Sequence, residues 1–208
     1  MIRAFFAIDL PAAFIEEIKR LQGELQKAGA DVRWVRPEGV HLTLKFLGEA
    51  EEMFLEGLTE SVRIVCAVHP CPTLTLAGTG VFPDRRKPRV VWVGLEGDLG
   101  ALAMLQYDIE SAAEAYGFKP EKRAFSPHLT LGRVRSSRGQ QELLAALKGL
   151  KPSPLSFTAA EVRLIRSDLK PSGAVYTPLQ ECPLGGGKAG PEHNLIRPPS
   201  RAGVKEKP

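Results

Sequence analysis

Val40-His-Leu-Thr-Leu-Lys-Phe-Leu-Gly48 and Pro127-His-Leu-Thr-Leu-Gly-Arg133 carry the same four residues, His-Leu-Thr-Leu, 87 positions apart. Side chains alternate along an extended strand, so each stretch reads as a β-strand with one polar and one apolar face. In the first, His41, Thr43 and Lys45 share a face opposite Leu42, Leu44 and Phe46. In the second, His128 and Thr130 stand together opposite Leu129 and Leu131. A single His-x-Thr on a strand is most often a half-buried polar group beside a good strand former. With four His and eight Thr in the chain, however, Thr follows two of the His at the same spacing, a coincidence of roughly one in a hundred.

The surroundings repeat as well. Placing His41 over His128 sets Phe5 over Trp92, Phe14 over Ala101 and Ile18 over Leu105. Residues 2–8 read as a buried strand, and Phe14, Ile18, Leu21 and Leu25 mark an amphipathic helix from Pro11 to about Ala28. Val32–Val35 and Val40–Leu47 read as extended, Glu51–Ala67 as helix, and Thr73–Phe82 and Arg89–Leu95 as strands around the turn-rich Pro83-Asp-Arg-Arg-Lys-Pro88. Leu99–Tyr116 is then expected to be helical, Ala124–Val134 extended, Gln140–Leu147 helical, and Leu155–Ser167 and Val175–Gln180 extended. Strand, helix, motif strand, helix and strand thus recur in order. A unit of this length exceeds a solenoid repeat and fits an internally duplicated α+β domain of two lobes. That domain is expected to span residues 1–182, with pseudo-repeats at about 1–82 and 88–182. Residues 183–208, with Gly185-Gly-Gly187, Pro198-Pro199 and few periodic apolar positions, are expected to be a disordered tail.

Composition narrows the function classes. The apolar run near the N-terminus is cut by Asp9 and Pro11 before it reaches signal-peptide or membrane-spanning length, so a cytoplasmic protein without a membrane segment is expected. Cys66, Cys71 and Cys182 form neither a CxxC pair nor an even set, which argues against a disulfide framework and against a zinc cage. The net charge is +4, but the tail, with five basic and two acidic residues, supplies +3 of it. An anionic partner is favoured only weakly by charge. Arg85-Arg-Lys87 reads as a solvated loop.

Two imidazoles and two hydroxyls, with cations close by, suit in-line displacement at a phosphodiester. One group takes a proton from the attacking oxygen while another, on the opposite side of phosphorus, protonates the leaving oxygen. Histidine serves both purposes because its pKa of about 6.5 lets one ring be neutral and the other cationic near neutrality. Hydroxyls and Lys or Arg then hold the non-bridging oxygens where charge accumulates. Two related strands facing each other across a cleft would deliver these groups to opposite sides of one phosphate. His69, in His-Pro-Cys-Pro, and His193, in the tail, have no Thr partner and are assigned no role.

At these motifs the chain resembles the two-histidine (2H) phosphoesterase superfamily, and within it the bacterial and archaeal RNA 2′,3′-cyclic phosphodiesterases historically called 2′-5′ RNA ligases. The resemblance covers about residues 1–181 and includes Arg3-Ala-Phe-Phe-Ala-Ile8, Arg33-Trp-Val35, Pro88-Arg-Val-Val-Trp-Val-Gly94 and Arg123-Ala-Phe-Ser-Pro127 beside the two motifs. It implies a bilobal fold, with antiparallel sheets lining a central cleft and helices outside, and no metal or organic cofactor. It further implies His41 as proton donor, His128 as proton acceptor, and Thr43 and Thr130 as ligands of the phosphate oxygens. The implied reaction is hydrolysis of RNA 2′,3′-cyclic ends to 2′-phosphomonoesters. RNA ends, tRNA halves bearing a cyclic phosphate and small cyclic nucleotides are the expected partners of a monomeric enzyme.

Six further residues are candidate substrate contacts. Lys45 follows Thr43 on the polar face, and Arg3 and Phe5 share a strand face, where Arg3 could meet phosphate and Phe5 could stack on a base or simply pack in the core. Arg123 and Phe125 lead into the second motif, with their facing set by the turn at Pro127. Arg133 has the parity of the leucine face and reaches the site only through a bulge at Gly132. Two competing readings are a related enzyme acting on another cyclic or 2′-5′ phosphodiester, ligation included, and a non-catalytic RNA-end binder. The binder would not need both His and both Thr.

Overall fold

The computed structural model describes residues 1–171 and 173–185. The chain runs through β1 (Ile2–Ile8), α1 (Ala12–Gln26), β2 (Val32–Trp34), a 3₁₀ turn (Pro37–Gly39), β3 (Leu42–Ala50), α2 (Glu52–Val68) and β4 (Thr73–Phe82). It continues through β5 (Val90–Gly97), α3 (Leu99–Ala115), β6 (His128–Val134), α4 (Gln140–Gly149), β7 (Ser156–Thr158), β8 (Glu161–Lys170) and β9 (Gly173–Pro183). The strands form two antiparallel sheets, ordered β3-β1-β8-β9 and β2-β6-β5-β4-β7. Helices α2 and α3 pack on the first sheet, and α1 and α4 on the second.

Helix spacing decides which faces are buried. Phe14, Ile18, Leu21 and Leu25 of α1 are each at most 1% exposed, and Leu102, Leu105, Ile109 and Ala113 form the equivalent stripe on α3. These stripes meet the leucine faces of the motif strands, where Leu42, Leu129 and Leu131 are fully buried. The opposite face of β1 carries a separate small cluster, Phe5, Ala7 and Ile165, with Tyr176 against it. Strand β1 is therefore covered on both sides, which explains its unbroken run of buried residues from Ala4 to Ile8.

The lobes are not the two sequence halves. Strand β4 leaves residues 1–82 to pair with β5 in the second sheet, and β8 returns from residues 88–182 to pair with β1 in the first. The two ladders also differ from the 87-residue alignment. Thr43 faces Ala7 and Thr130 faces Trp92, so Ala7 rather than Phe5 is the counterpart of Trp92, and Phe5 is the counterpart of Val90. A two-residue slip keeps every side chain on its own face, and period-two patterning cannot register it.

Three boundaries move. The strand expected from Ala124 begins at His128, and the one expected over Leu155–Ser167 is broken into β7 and β8. The tail starts later than Pro183: Leu184 is 8% exposed and its N–H bonds the Ala160 carbonyl at 2.7 Å, while the Gly185 N–H bonds His69 at 3.1 Å. The rest of the expected tail, including His193, lies outside the described residues. Among the described residues no helix is long and apolar enough to cross a membrane.

Candidate active site

The histidines sit at the starts of their strands, and both are held in the same way. His41 Nδ1 lies 2.9 Å from the Gly39 carbonyl of the 3₁₀ turn, and His128 Nδ1 lies 2.7 Å from the Ser126 carbonyl. A carbonyl only accepts, so each Nδ1 carries its hydrogen and each ring presents Nε2 as the nitrogen free to exchange a proton. Phe5 stacks on the His41 ring at 4.5 Å and 24°, and Tyr176 meets it edge-on at 5.0 Å and 88°. Phe82 lies edge-on to His128 at 4.9 Å and 84°. Both imidazoles are thus fixed by one hydrogen bond and by aromatic walls.

Burial lowers the His41 pKa from its ordinary value, against the opposing pull of the Gly39 carbonyl and the Asp9 carboxylate. Asp9 is itself held by Arg163, whose Nη1 lies 2.7 Å from its carboxylate.

Thr43 and Thr130 follow on the same face as their histidines, and neither hydroxyl has a hydrogen-bond partner among the described residues. Thr59, Thr73, Thr75 and Thr79 all have one. The two motif threonines therefore keep hydroxyls available two residues along the strand from each histidine. Strands β3 and β6 belong to different sheets, yet come within 8 Å of each other between Cα atoms.

Each motif ends its regular alternation at the fourth residue. Ala7 pairs with Thr43 and Phe6 with Lys45, leaving Leu44 as the extra residue of a bulge. Trp92 pairs with Thr130 and Val91 with Gly132, leaving Leu131 in the equivalent place. Beyond each bulge the faces are exchanged. Lys45, expected on the polar face, is 4% exposed and lies on the helix side, paired with Glu110 and donating to the Lys119 carbonyl at 2.7 Å. Phe46 turns outward beside Phe5, with ring centroids 5.9 Å apart and 58% of its surface exposed. Phe46 was missed because alternation without a bulge places it in the core.

The same inversion brings Arg133 to the His128 face, opposite Val90, while Gly132 takes the core position opposite Val91. A Cβ on Gly132 would lie 2.6 Å from Val32 Cγ1 and 3.0 Å from Trp34 Cε3, so the close approach of β2 requires glycine there. The bulge carbonyl of Leu131 accepts from Val35 N–H at 2.9 Å and from Gln22 Nε2 at 2.8 Å. On the other side of the floor, the Trp92 ring lies over Gly80, where a Cβ would come within 2.3 Å of Cζ2. Its indole N–H is buried and has no partner among the described residues.

The remaining candidates divide. Arg3 is exposed on the Phe5 face of β1, which runs without a bulge of its own. Arg123 is exposed in the loop before β6, whereas Phe125 packs against the main core rather than into the cleft. The turn at Pro127 ends the extended pairing, so strand parity does not govern either residue. His69 bonds Asp108 through Nε2 at 2.7 Å, as a satisfied buried histidine.

Residues 9–171 match the family model described as the 2′-5′ RNA ligase superfamily. The chain is 36% identical over 180 residues to an RNA 2′,3′-cyclic phosphodiesterase of Methanothermobacter thermautotrophicus, covering 86% of this chain and 97% of that one. It is 31% identical to the protein of that name from Thermotoga maritima, with 89% and 97% covered. Among solved structures, E. coli LigT complexed with 3′-AMP superimposes with a TM-score of 0.73 at 31% identity, covering 88% of this chain and 98% of that one. With its two antiparallel sheets, outer helices and paired motif strands, the chain belongs to the 2′-5′ RNA ligase superfamily.

Proposed function

We propose that the protein opens 2′,3′-cyclic phosphates at RNA ends by general acid–base catalysis between His41 and His128, releasing 2′-phosphomonoesters. The observation that carries this reading is the matched pair of anchored rings: each Nδ1 is tied to a backbone carbonyl two residues earlier, and each histidine is followed two residues on by a threonine whose hydroxyl has no partner among the described residues. A binder of RNA ends would need cations and stacking surfaces, but not two oriented proton-transfer groups.

Water attacks phosphorus as its proton passes to His128 Nε2. The bond from phosphorus to the ribose O3′ breaks as His41 Nε2–H delivers a proton to that oxygen. Thr43 and Thr130 hydroxyls donate to the non-bridging oxygens as charge accumulates there. The acid must be cationic, and burial disfavours that form in the free protein. Asp9 and the bound phosphate anion, both negative, favour it in the complex. Phe46, 58% exposed, offers an aromatic surface to the terminal base, whereas Phe5, 2% exposed, packs behind the His41 ring instead of stacking on a base, and Arg133 offers a guanidinium to the substrate phosphates.

Product analysis tests this directly. RNA ending in a 2′,3′-cyclic phosphate should yield a single 2′-phosphate end, resolved by ³¹P NMR, and a 3′-phosphate product would reject the assignment of leaving group.

A further inference from the structure

Six exposed basic side chains gather on two adjoining loops outside the catalytic motifs. Arg85, Arg86, Lys87 and Arg89 come from the connection between β4 and β5, and Arg135 and Arg138 from the connection between β6 and α4. None of them pairs with a carboxylate among the described residues, whereas the surface residues Arg20, Lys27, Arg63 and Arg166 all do. The nearby acids serve the loops' own fold instead. Asp84 accepts the N–H groups of Arg86 and Lys87 at 2.7 and 3.1 Å, and Asp31 accepts the Ser136 hydroxyl at 2.8 Å. The two loops hold these six basic residues against one acid, Asp84, so the rest of residues 1–182 is net negative. Crowding like charges in this way is unfavourable for the folded chain by itself and favourable toward a polyanion.

Backbone contacts hold the loops together. Gln140 donates through Nε2 to the carbonyls of Arg85 and Arg86 at 3.3 Å each, and the Val134 N–H bonds the Arg89 carbonyl at 3.0 Å. The Asp31 N–H bonds the Arg138 carbonyl at 3.1 Å. Between Lys87, Arg89 and Arg135 lies a recess of about 250 Å³. Helix α4 starts beside it at Gln140 without a side-chain cap, and its positive dipole end adds to the field.

The patch and the catalytic histidine occupy opposite ends of β6. Six steps along the strand separate His128 from Val134, roughly 20 Å at about 3.3 Å per residue. A mononucleotide held at His128 does not bridge that distance, but a polynucleotide does. No aromatic residue lines the recess. Recognition of single strands relies on bases stacking on aromatic rings, whereas paired RNA keeps its bases inside and presents phosphates.

From this placement we infer that the two loops form a docking surface for the phosphate backbone of a double-stranded RNA stem, from which a short single-stranded 3′ overhang reaches the histidines. The inference rests on the proposed reading of the catalytic site and adds to it a structured substrate, recognised by its backbone without regard to sequence.

The test compares three substrates with the same cyclic-phosphate end: a mononucleotide, an unstructured single strand, and a hairpin with a short 3′ overhang. One variant carries Arg85→Gln, Arg86→Gln and Lys87→Gln together, and a second carries Arg135→Gln and Arg138→Gln. For the wild type on the hairpin, log kcat/KM should fall steeply with log salt between about 50 and 200 mM. The triple variant should lose about tenfold at the lowest salt, with a slope shallower by about two, and the double variant should lose less in the same sense. Both should hydrolyse the mononucleotide at the wild-type rate. Equal losses on the single strand and the hairpin would overturn the duplex assignment. Wild-type behaviour of both variants on the hairpin would overturn the surface altogether.

Fluorescence anisotropy with the same hairpin ending in a 3′-phosphate reads docking without turnover. If no cyclic phosphate is hydrolysed, the proposed reaction fails, while the difference in salt-sensitive binding between wild type and variants still decides the docking surface. Phosphatidylserine vesicles that bind as tightly as the hairpin, and are lost in the same variants, would assign the patch to a membrane surface and overturn the RNA assignment. The two variants alter separate loops, so disturbance of one loop cannot produce both losses, and a thermal melt of each confirms that the exposed substitutions leave the fold intact.

Discussion

The side-chain amide of Gln22 donates to the carbonyl of Leu131 at 2.8 Å, and so ties the middle of α1 to the bulge that follows the second His-Leu-Thr-Leu motif. Gln22 is 4% exposed and donates also to the Val35 carbonyl at 2.7 Å. A bulge takes one carbonyl out of the ladder, and an unpaired buried carbonyl is costly. Here helix and strand supply the missing donors.

Gln22→Met keeps the length of the side chain and removes both donors. The Val35 carbonyl loses its partner and Leu131 retains only the Val35 N–H. The expected cost is about 2 kcal/mol, or a fall in Tm of roughly 6 °C. Arg133, aimed by that bulge, should lose position, so kcat/KM for a cyclic phosphate should fall as well. An unchanged melting curve would mean that the bulge does not depend on this clamp.

Lys45→Met distinguishes a structural lysine from a substrate contact. The substitution leaves Glu110 without its cation at a site where that side chain is only 15% exposed. The remaining Glu121 N–H and Gln106 donors partly compensate. A loss of about 3 kcal/mol is expected, read as a clear drop in the urea midpoint. A variant of normal stability with a raised KM would return Lys45 to the cleft.

The two bulges explain which parts of the site were legible in the sequence. Period-two alternation holds from His41 to Thr43 and from His128 to Thr130, and those four residues lie where it places them. It fails at Leu44 and Leu131, because bulges are specified by partners distant in sequence, such as Gln22, rather than by the strand itself. Lys45 and Phe46 consequently exchange faces. Arg133 reaches the His128 face through a bulge, as its parity required, although the extra residue is Leu131 rather than Gly132. Helices α1 to α4 were readable because their stripes span several turns, whereas the exchange of β4 and β8 between sheets leaves no trace in local pattern.

The environment of His41 has a signature in the pH dependence of stability. Burial lowers its folded-state pKa, so the unfolded chain takes up a proton that the folded protein resists. Above about pH 6.5 both states hold a neutral ring and the residue contributes no penalty. As pH falls through the unfolded value toward the lower folded one, the penalty grows. His41→Asn keeps an N–H near the Gly39 carbonyl and removes the titration. Its Tm relative to wild type should therefore rise as pH is lowered from 7 to 5. A difference that is flat across this range would show that the folded protein protonates His41 as readily as the unfolded chain does.

The division of labour between the two histidines is tested most directly by changing the leaving atom. A ribose 3′-alkoxide is too basic to depart unprotonated, whereas a thiolate leaves without an acid. Turnover of a 2′,3′-cyclic phosphate is compared with turnover of its 3′-thio analogue for wild type, His41→Ala and His128→Ala, after wild-type hydrolysis of the analogue has been verified. With His41 as acid and His128 as base, both variants should be severely slowed on the natural substrate. His41→Ala alone should recover substantially on the sulfur analogue, because His128→Ala still has no base for the attacking water. Recovery of His128→Ala without recovery of His41→Ala would reverse the two roles, and near-normal turnover of the natural substrate by either variant would contradict two-histidine catalysis.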